Sequence, residues 1–201
     1  MAKSYSSFNY NDIKTLNIVL KRAKLFDSVE HIAPSARLVA DIEDNLELPF
    51  DTEKAKSELL VVPVLNELRR NNKQQFTVFS GYAFDVDKSR GLNGHCDYIL
   101  SQALHSPTIE SPIICVVEAK NDAVDSQSAI AQCVAEMYAV HIFNQDHGKN
   151  VPVVYGITST GLDWMLLRME NMTVEIDTER YYLKYLSELL GALQTVIDVY
   201  K

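Results

Sequence analysis

The sequence holds no apolar run near the roughly 18 residues a membrane-spanning helix needs; the run over residues 112–117 suits a buried strand. Positive charge is also in short supply. Nineteen Lys and Arg stand against 27 Asp and Glu, a formal net charge of −8. Proteins that simply coat DNA neutralise its phosphates with many cations, so the balance argues against that class. It leaves room for an enzyme whose acids hold a metal ion, because the ion restores positive potential locally. Cysteine is scarce: Cys96, Cys115 and Cys133 form no C-x-x-C pair. They read as reduced, partly buried thiols of a cytoplasmic protein, not as a disulfide framework or a structural zinc site. The start, Met1 to Ser7, lacks the apolar segment of a secretory signal. No repeat or low-complexity tract is present. With 47% apolar residues among 201, the chain can bury one domain core, with or without an accessory segment.

Residues 1–10 read as frayed. From Asp12, the positions of Ile13, Leu16, Leu20 and Ala23 predict a helix capped by Asn11 or Asp12. Pro34 and Ser35 open a second helical pattern through Arg37, Val39 and Ile42, which ends at Leu48-Pro49-Phe50. Residues 1–50 are therefore expected to form a helical accessory region, and 51–201 the main domain. A longer, largely buried helix is expected over 52–70. Pro63 either kinks it or marks the first turn of a separate helix. Strands follow at 76–86, bent at Gly81, at 95–100 and at 113–120, the last apolar on both faces up to Glu118 and so central. A helix over 126–144, strands at 151–158, 164–169 and 173–176, and a helix over 178–200 complete the chain. The expected class is α/β: an antiparallel three-strand meander, a crossover helix and further strands in a mixed sheet flanked by helices.

Asp97 falls in the second of these strands. Glu118 and Lys120, two residues apart, end the third. If the strands pair, Asp97 and Glu118 can converge on a hard cation such as Mg²⁺, which needs only one or two carboxylates. Lys120 would then stand beside the ion, where it can orient or help deprotonate water. Charged groups closing a buried strand are seldom there for solvation, and strand ends are where α/β sheets gather their sites. Glu58 lies three, four and seven positions before Val61, Val62 and Leu65, which puts a carboxylate on an apolar helix face. It either pairs with Lys54 four residues earlier or serves a metal. Gln132 belongs to a polar stripe with Ser128 and Glu136 that is either a solvated helix face or part of the site. Arg69, Arg70, Lys73, Lys88 and Arg90 are either phosphate contacts or ordinary surface charges.

Together these features resemble the PD-(D/E)XK nuclease superfamily, the restriction endonuclease-like fold. The likeness covers about residues 52–170: Glu58 on the first core helix, Asp97 on the second strand, Glu118-Ala119-Lys120 on the third, and Gln132 on the following helix. The stretch from Val153 to Leu167 is similar to the strand-turn-strand of type I restriction-subunit and related nuclease-like domains. The proline that names the motif is absent before Asp97, where His95-Cys96 stands. The resemblance implies that 51–201 is a nuclease-like domain that hydrolyses nucleic-acid phosphodiesters, DNA first, in repair, restriction or mobile-element processing. It implies Mg²⁺ or Mn²⁺ held by Asp97, Glu118, the Ala119 carbonyl and Glu58, with Lys120 stabilising charge and Gln132 orienting it or the substrate. The alternative is a non-enzymatic module of the same fold that binds nucleic acid or a partner protein. A targeting partner subunit and a homodimer are both compatible with the chain's length; a membrane is not expected.

Overall fold

The computed structural model describes residues 3–121 and 123–201. Its order is α1 (Tyr10–Thr15), β1 (Val19–Ala23), α2 (Ala36–Leu46), α3 (Glu53–Lys56), a wide π-type turn (Ser57–Val61), α4 (Val62–Asn71), β2 (Thr77–Ala83), β3 (His95–Ser101), β4 (Ile113–Ala119), α5 (Gln127–Asp146), β5 (Val153–Ser159), β6 (Asp163–Glu170), β7 (Thr173–Asp177), β8 (Tyr181–Tyr182) and α6 (Leu186–Asp198). One mixed eight-stranded sheet runs β1-β7-β6-β5-β4-β3-β2, with β8 added against β6. The α/β class with a mixed sheet flanked by helices is therefore present. β2, β3 and β4 form the antiparallel meander, and α5 carries the chain from β4 to β5, which lies parallel to it. Among the described residues no helix is long and apolar enough to cross a membrane.

Each face of the sheet carries a core. On one face, α1 and α5 pack over Ile99, Val116, Met165 and Leu167. On the other, α2, α4 and α6 pack over Tyr98, Val117, Ile157 and Trp164. Ile113–Ala119 is buried along its whole length, as its apolar run requires of a central strand. Ser126 caps α5 by accepting a hydrogen bond from the Ala129 N–H at 3.2 Å. At the far end of α5, Asn144 exchanges two bonds with the backbone of Ile113 (2.7 and 2.9 Å), which fixes the helix against the first residue of β4.

Three expectations are corrected. Residues 1–50 are not a helical accessory region: α1 stops at Thr15, and Val19–Ala23 is a strand paired in parallel with β7. Asn17, at φ 59°, turns the chain between them, and the β-branched and long side chains that follow suit an edge strand better than another helical turn. Nor are residues 3–10 frayed. Tyr5 is 1% exposed and donates its hydroxyl to the Phe84 carbonyl at 2.6 Å; Met1 and Ala2 lie outside the described residues. The last helix begins at Leu186, because residues 181–182 are drawn into the sheet opposite Asp163 and Trp164. At Pro63, which has no N–H, the helical run persists but widens into the turn over Ser57–Val61 before α4 resumes.

Candidate active site at the ends of β3 and β4

The β3–β4 register ends at the pair Tyr98–Val117, one residue short of Asp97 on β3 and of Glu118 on β4. Asp97 Oδ2 accepts a hydrogen bond from the Ala119 N–H at 2.8 Å, which locks the two strand ends together. β4 finishes at Ala119, and the Lys120 N–H donates to the Ser159 carbonyl of β5 at 2.7 Å. Lys120 Nζ reaches Glu118 Oε1 at 2.6 Å and Gln132 Oε1 at 2.9 Å. The Gln132 amide donates to Glu118 Oε1 at 2.5 Å and to Glu136 Oε1 at 3.1 Å. Asp97, Glu118, Lys120 and Gln132 are thus brought together at one end of the sheet.

Burial sets the electrostatics. It pushes Glu118 up to about 7, assisted by the charge of Asp97 and opposed by Lys120. Asp97 is also raised, first by burial, with the Ala119 N–H and Lys120 working against the shift. Glu136 is wholly buried and held well above the carboxylate range by burial and then by Glu118. Burial alone would lower Lys120, but Glu118 outweighs it and the ammonium is stabilised. Glu118 Oε2 and Glu136 Oε2 are buried with no hydrogen-bond partner, a costly state for carboxyl oxygens. The cluster thus gathers the carboxyls of Asp97, Glu118 and Glu136 around the ammonium of Lys120.

Glu58 is placed differently from the buried position expected of it. Its side chain is 62% exposed and lies 3.8 Å from Lys54, the pairing that was the alternative reading. The wide turn at 57–61 winds less per residue than an α-helix and carries Glu58 off the apolar stripe. It still lines a cavity of about 240 Å³ with Asp97, Ala119, Ser57, Tyr98 and Glu53. The Ser57 and Tyr98 hydroxyls bond across that cavity's wall. The stripe of Gln132 and Glu136 is not a solvated face: Gln132 is 8% exposed and Glu136 fully buried, because residues 5–7 and α1 cover the outer side of α5.

Two residues were missed. Glu53 lines the cavity, and its charge raises both Asp97 and Lys120; the available signal was its place five residues ahead of Glu58 in the same helical run. Glu136, named only with Gln132 in a stripe left open between solvent and site, was given no role, although its position four residues after Gln132 put both on one helix face. Of the basic residues, Arg70 is bound to Glu67, Lys88 to Asp85 and Arg90 to Asp87, at 2.9, 2.9 and 2.6 Å. Arg69 donates to the Phe76 carbonyl. Arg69, Arg70 and Lys73 precede Thr77, which pairs with Ser101 at the opposite end of β3 from His95. Among the described residues, no three His, Cys, Asp or Glu side chains form a ready group for a metal ion.

Comparison with protein-family models, with curated proteins and with solved structures gives no match to this chain.

Proposed function

We propose that the chain is a divalent-metal nuclease on a restriction endonuclease-like core, hydrolysing phosphodiester bonds of nucleic acid, DNA first. The observation that carries this reading is Asp97 bonded to the Ala119 N–H beside Glu118, with Lys120 held on Glu118 and one Glu118 oxygen buried without a partner. The element order supports it too: a helical run bearing Glu58, the β2–β3–β4 meander, the crossover α5, and β5 parallel to β4. The donor set suits Mg²⁺ or Mn²⁺, which takes one or two carboxylates and fills its remaining positions with water and substrate phosphate. In this reading Asp97 and Glu118 hold the ion, and the Ala119 carbonyl and Glu58 complete the set directly or through water. When bound, the ion supplies Lewis acidity to the phosphate and to an attacking water. Lys120 offers an ammonium to the negative charge that develops on the phosphate, and Gln132 keeps that ammonium in place.

The test is cleavage of single-stranded, duplex and branched DNA and of RNA in Mg²⁺ or Mn²⁺, with Asp97→Ala and Lys120→Ala beside the unaltered protein. Cleavage that falls by about two orders of magnitude or more in both variants supports the site. Equal cleavage by all three proteins means contamination and removes it. A second reading, a non-enzymatic module of the same fold, is favoured by one observation: Lys120 and Gln132 already occupy Glu118 Oε1. Absence of cleavage together with absence of calorimetric metal binding would select it.

A further inference from the structure

A cavity of about 550 Å³ lies between α1 and the outer edge of β1, far along the sheet from Glu118. β1 is the terminal strand on its side of the sheet. Its bonds to β7 use alternate residues: the Val19 N–H donates to the Met172 carbonyl and the Ala23 carbonyl accepts from the Thr178 N–H, each at 3.0 Å. The alternation of a parallel ladder therefore turns the N–H and C=O groups of Leu20 and Arg22 outward, towards the open edge. Beside that edge the groove floor is apolar, made by Ile18, Leu20 and Ile176 with the ring of Tyr10. Its rim is cationic. Lys14 and Arg22 are exposed, line the groove, and have no carboxylate partner among the described residues, whereas Lys21 is bound to Glu175 at 2.9 Å.

A strand edge with outward backbone groups, an apolar floor beneath a short helix, and unneutralised cations form the recognition geometry of strand addition. We propose that this groove binds an extended segment of a partner protein that presents apolar and acidic side chains on one face, as Leu20 and Arg22 share one face of β1, and that joins the sheet beside β1. The backbone of Leu20 and Arg22 would supply the ladder, the floor would take the apolar side chains, and Lys14 and Arg22 would take the acidic ones. The charges also choose between occupants. Two copies of this chain pairing through β1 would set Lys21 and Arg22 against their like, which opposes pairing. A foreign acidic strand meets the opposite situation, and does so on a chain whose net charge of −8 makes this basic rim a local exception.

The probe is a fluorescein-labelled Glu-Val octapeptide, Thr-Val-Thr-Glu-Thr-Val-Thr-Glu, which carries Val and Glu on one face, with a Lys-Val octapeptide (Lys in place of Glu) and a Glu-Val peptide N-methylated on one edge as controls. The expected result is anisotropy-detected binding of Glu-Val only, weakening as salt rises. Combined Lys14→Glu and Arg22→Glu should weaken it by about tenfold or more while thermal melting stays unchanged, since both side chains are exposed. The Leu20 and Arg22 amide protons should gain protection from hydrogen exchange when the peptide is added. No binding of Glu-Val would overturn the proposal. So would binding that charge reversal and N-methylation leave intact. The N-methylated peptide keeps the test decisive if the double variant misfolds. A peptide-free dimer in sedimentation, with those two amides already protected, would assign the edge to a second copy and also overturn it.

Discussion

Lys120 holds Glu118 and Gln132 with one ammonium, and Gln132 in turn holds Glu118 and Glu136 with one amide. Deleting a member of such a network leaves the others buried and unsatisfied. Lys120→Met should cost about 3 kcal/mol of stability at pH 8, because Glu118 is then charged and unpaired. At pH 5.5 Glu118 takes up a proton and the cost should shrink; urea denaturation at the two pH values measures the difference. The sign for Glu118 itself follows from its position near 7, above its unfolded value. Stability linked to it is fully present below about pH 4.5 and is lost as pH rises through 7. Without metal, the protein should therefore melt at lower temperature at pH 8 than at pH 5.5, and Glu118→Gln should flatten that slope. If the nuclease reading holds, millimolar Mn²⁺ should recover melting temperature at pH 8 in the unaltered protein and not in Asp97→Ala.

Among the elements, α2 is tied to α4 by one carboxylate. Glu67, 2% exposed, accepts the Ser35 N–H at 2.9 Å and the Arg70 guanidinium at 2.9 Å. Burial works to raise its pKa, but the Arg70 and Ser35 bonds prevail and hold it below the usual range. A depressed carboxylate stabilises the fold above its unfolded pKa and loses that contribution as pH falls through its folded one. Glu67→Gln should cost about 1–3 kcal/mol at pH 7 and make the acid limb below about pH 4.5 shallower, both readable from urea midpoints. β5 packs closely against the crossover helix at Gly156. A Cβ on Gly156 would stand 2.6 Å from Cys133 Sγ and collide with Met137 Sδ. Gly156→Ala should lower stability by about 1–3 kcal/mol, through displacement of α5, in thermal or urea unfolding.

At the scale of the whole molecule, the N-terminal segment matters more than its distance in sequence from the site suggests. Tyr5, Phe8 and Ile13 belong to the same core as Val116 and Ile130, and they shield the side of α5 that carries Gln132 and Glu136. Burial first, then Cys96 and Glu136, raises the pKa of Tyr5. Tyr5→Ala should destabilise the protein by about 3 kcal/mol and should open the Gln132–Glu136 side of the network to water. Calorimetry measures the first; faster hydrogen exchange of α5 amides measures the second.

Several features were legible from local pattern alone. The apolar run of residues 113–117 dictated a central strand, period-two spacing set Glu118 at its end, and Ser126 marked the start of the crossover helix. These follow from steric periodicity and from backbone groups that need partners, both properties of neighbours in sequence. Other features depended on segments distant in the chain. Whether Gln132 and Glu136 faced water depended on residues 5–18 folding back over α5. Whether Val19–Ala23 was helix or strand depended on β7 offering an edge 150 residues later. Where Glu58 pointed depended on a wide turn before Pro63. In each case the local preferences lay within about 1 kcal/mol of one another, and tertiary burial, worth more, chose between them. The approach of Asp97 to Glu118 belongs to both kinds: spacing made it available, and the pairing of β3 with β4 brought the two strand ends together.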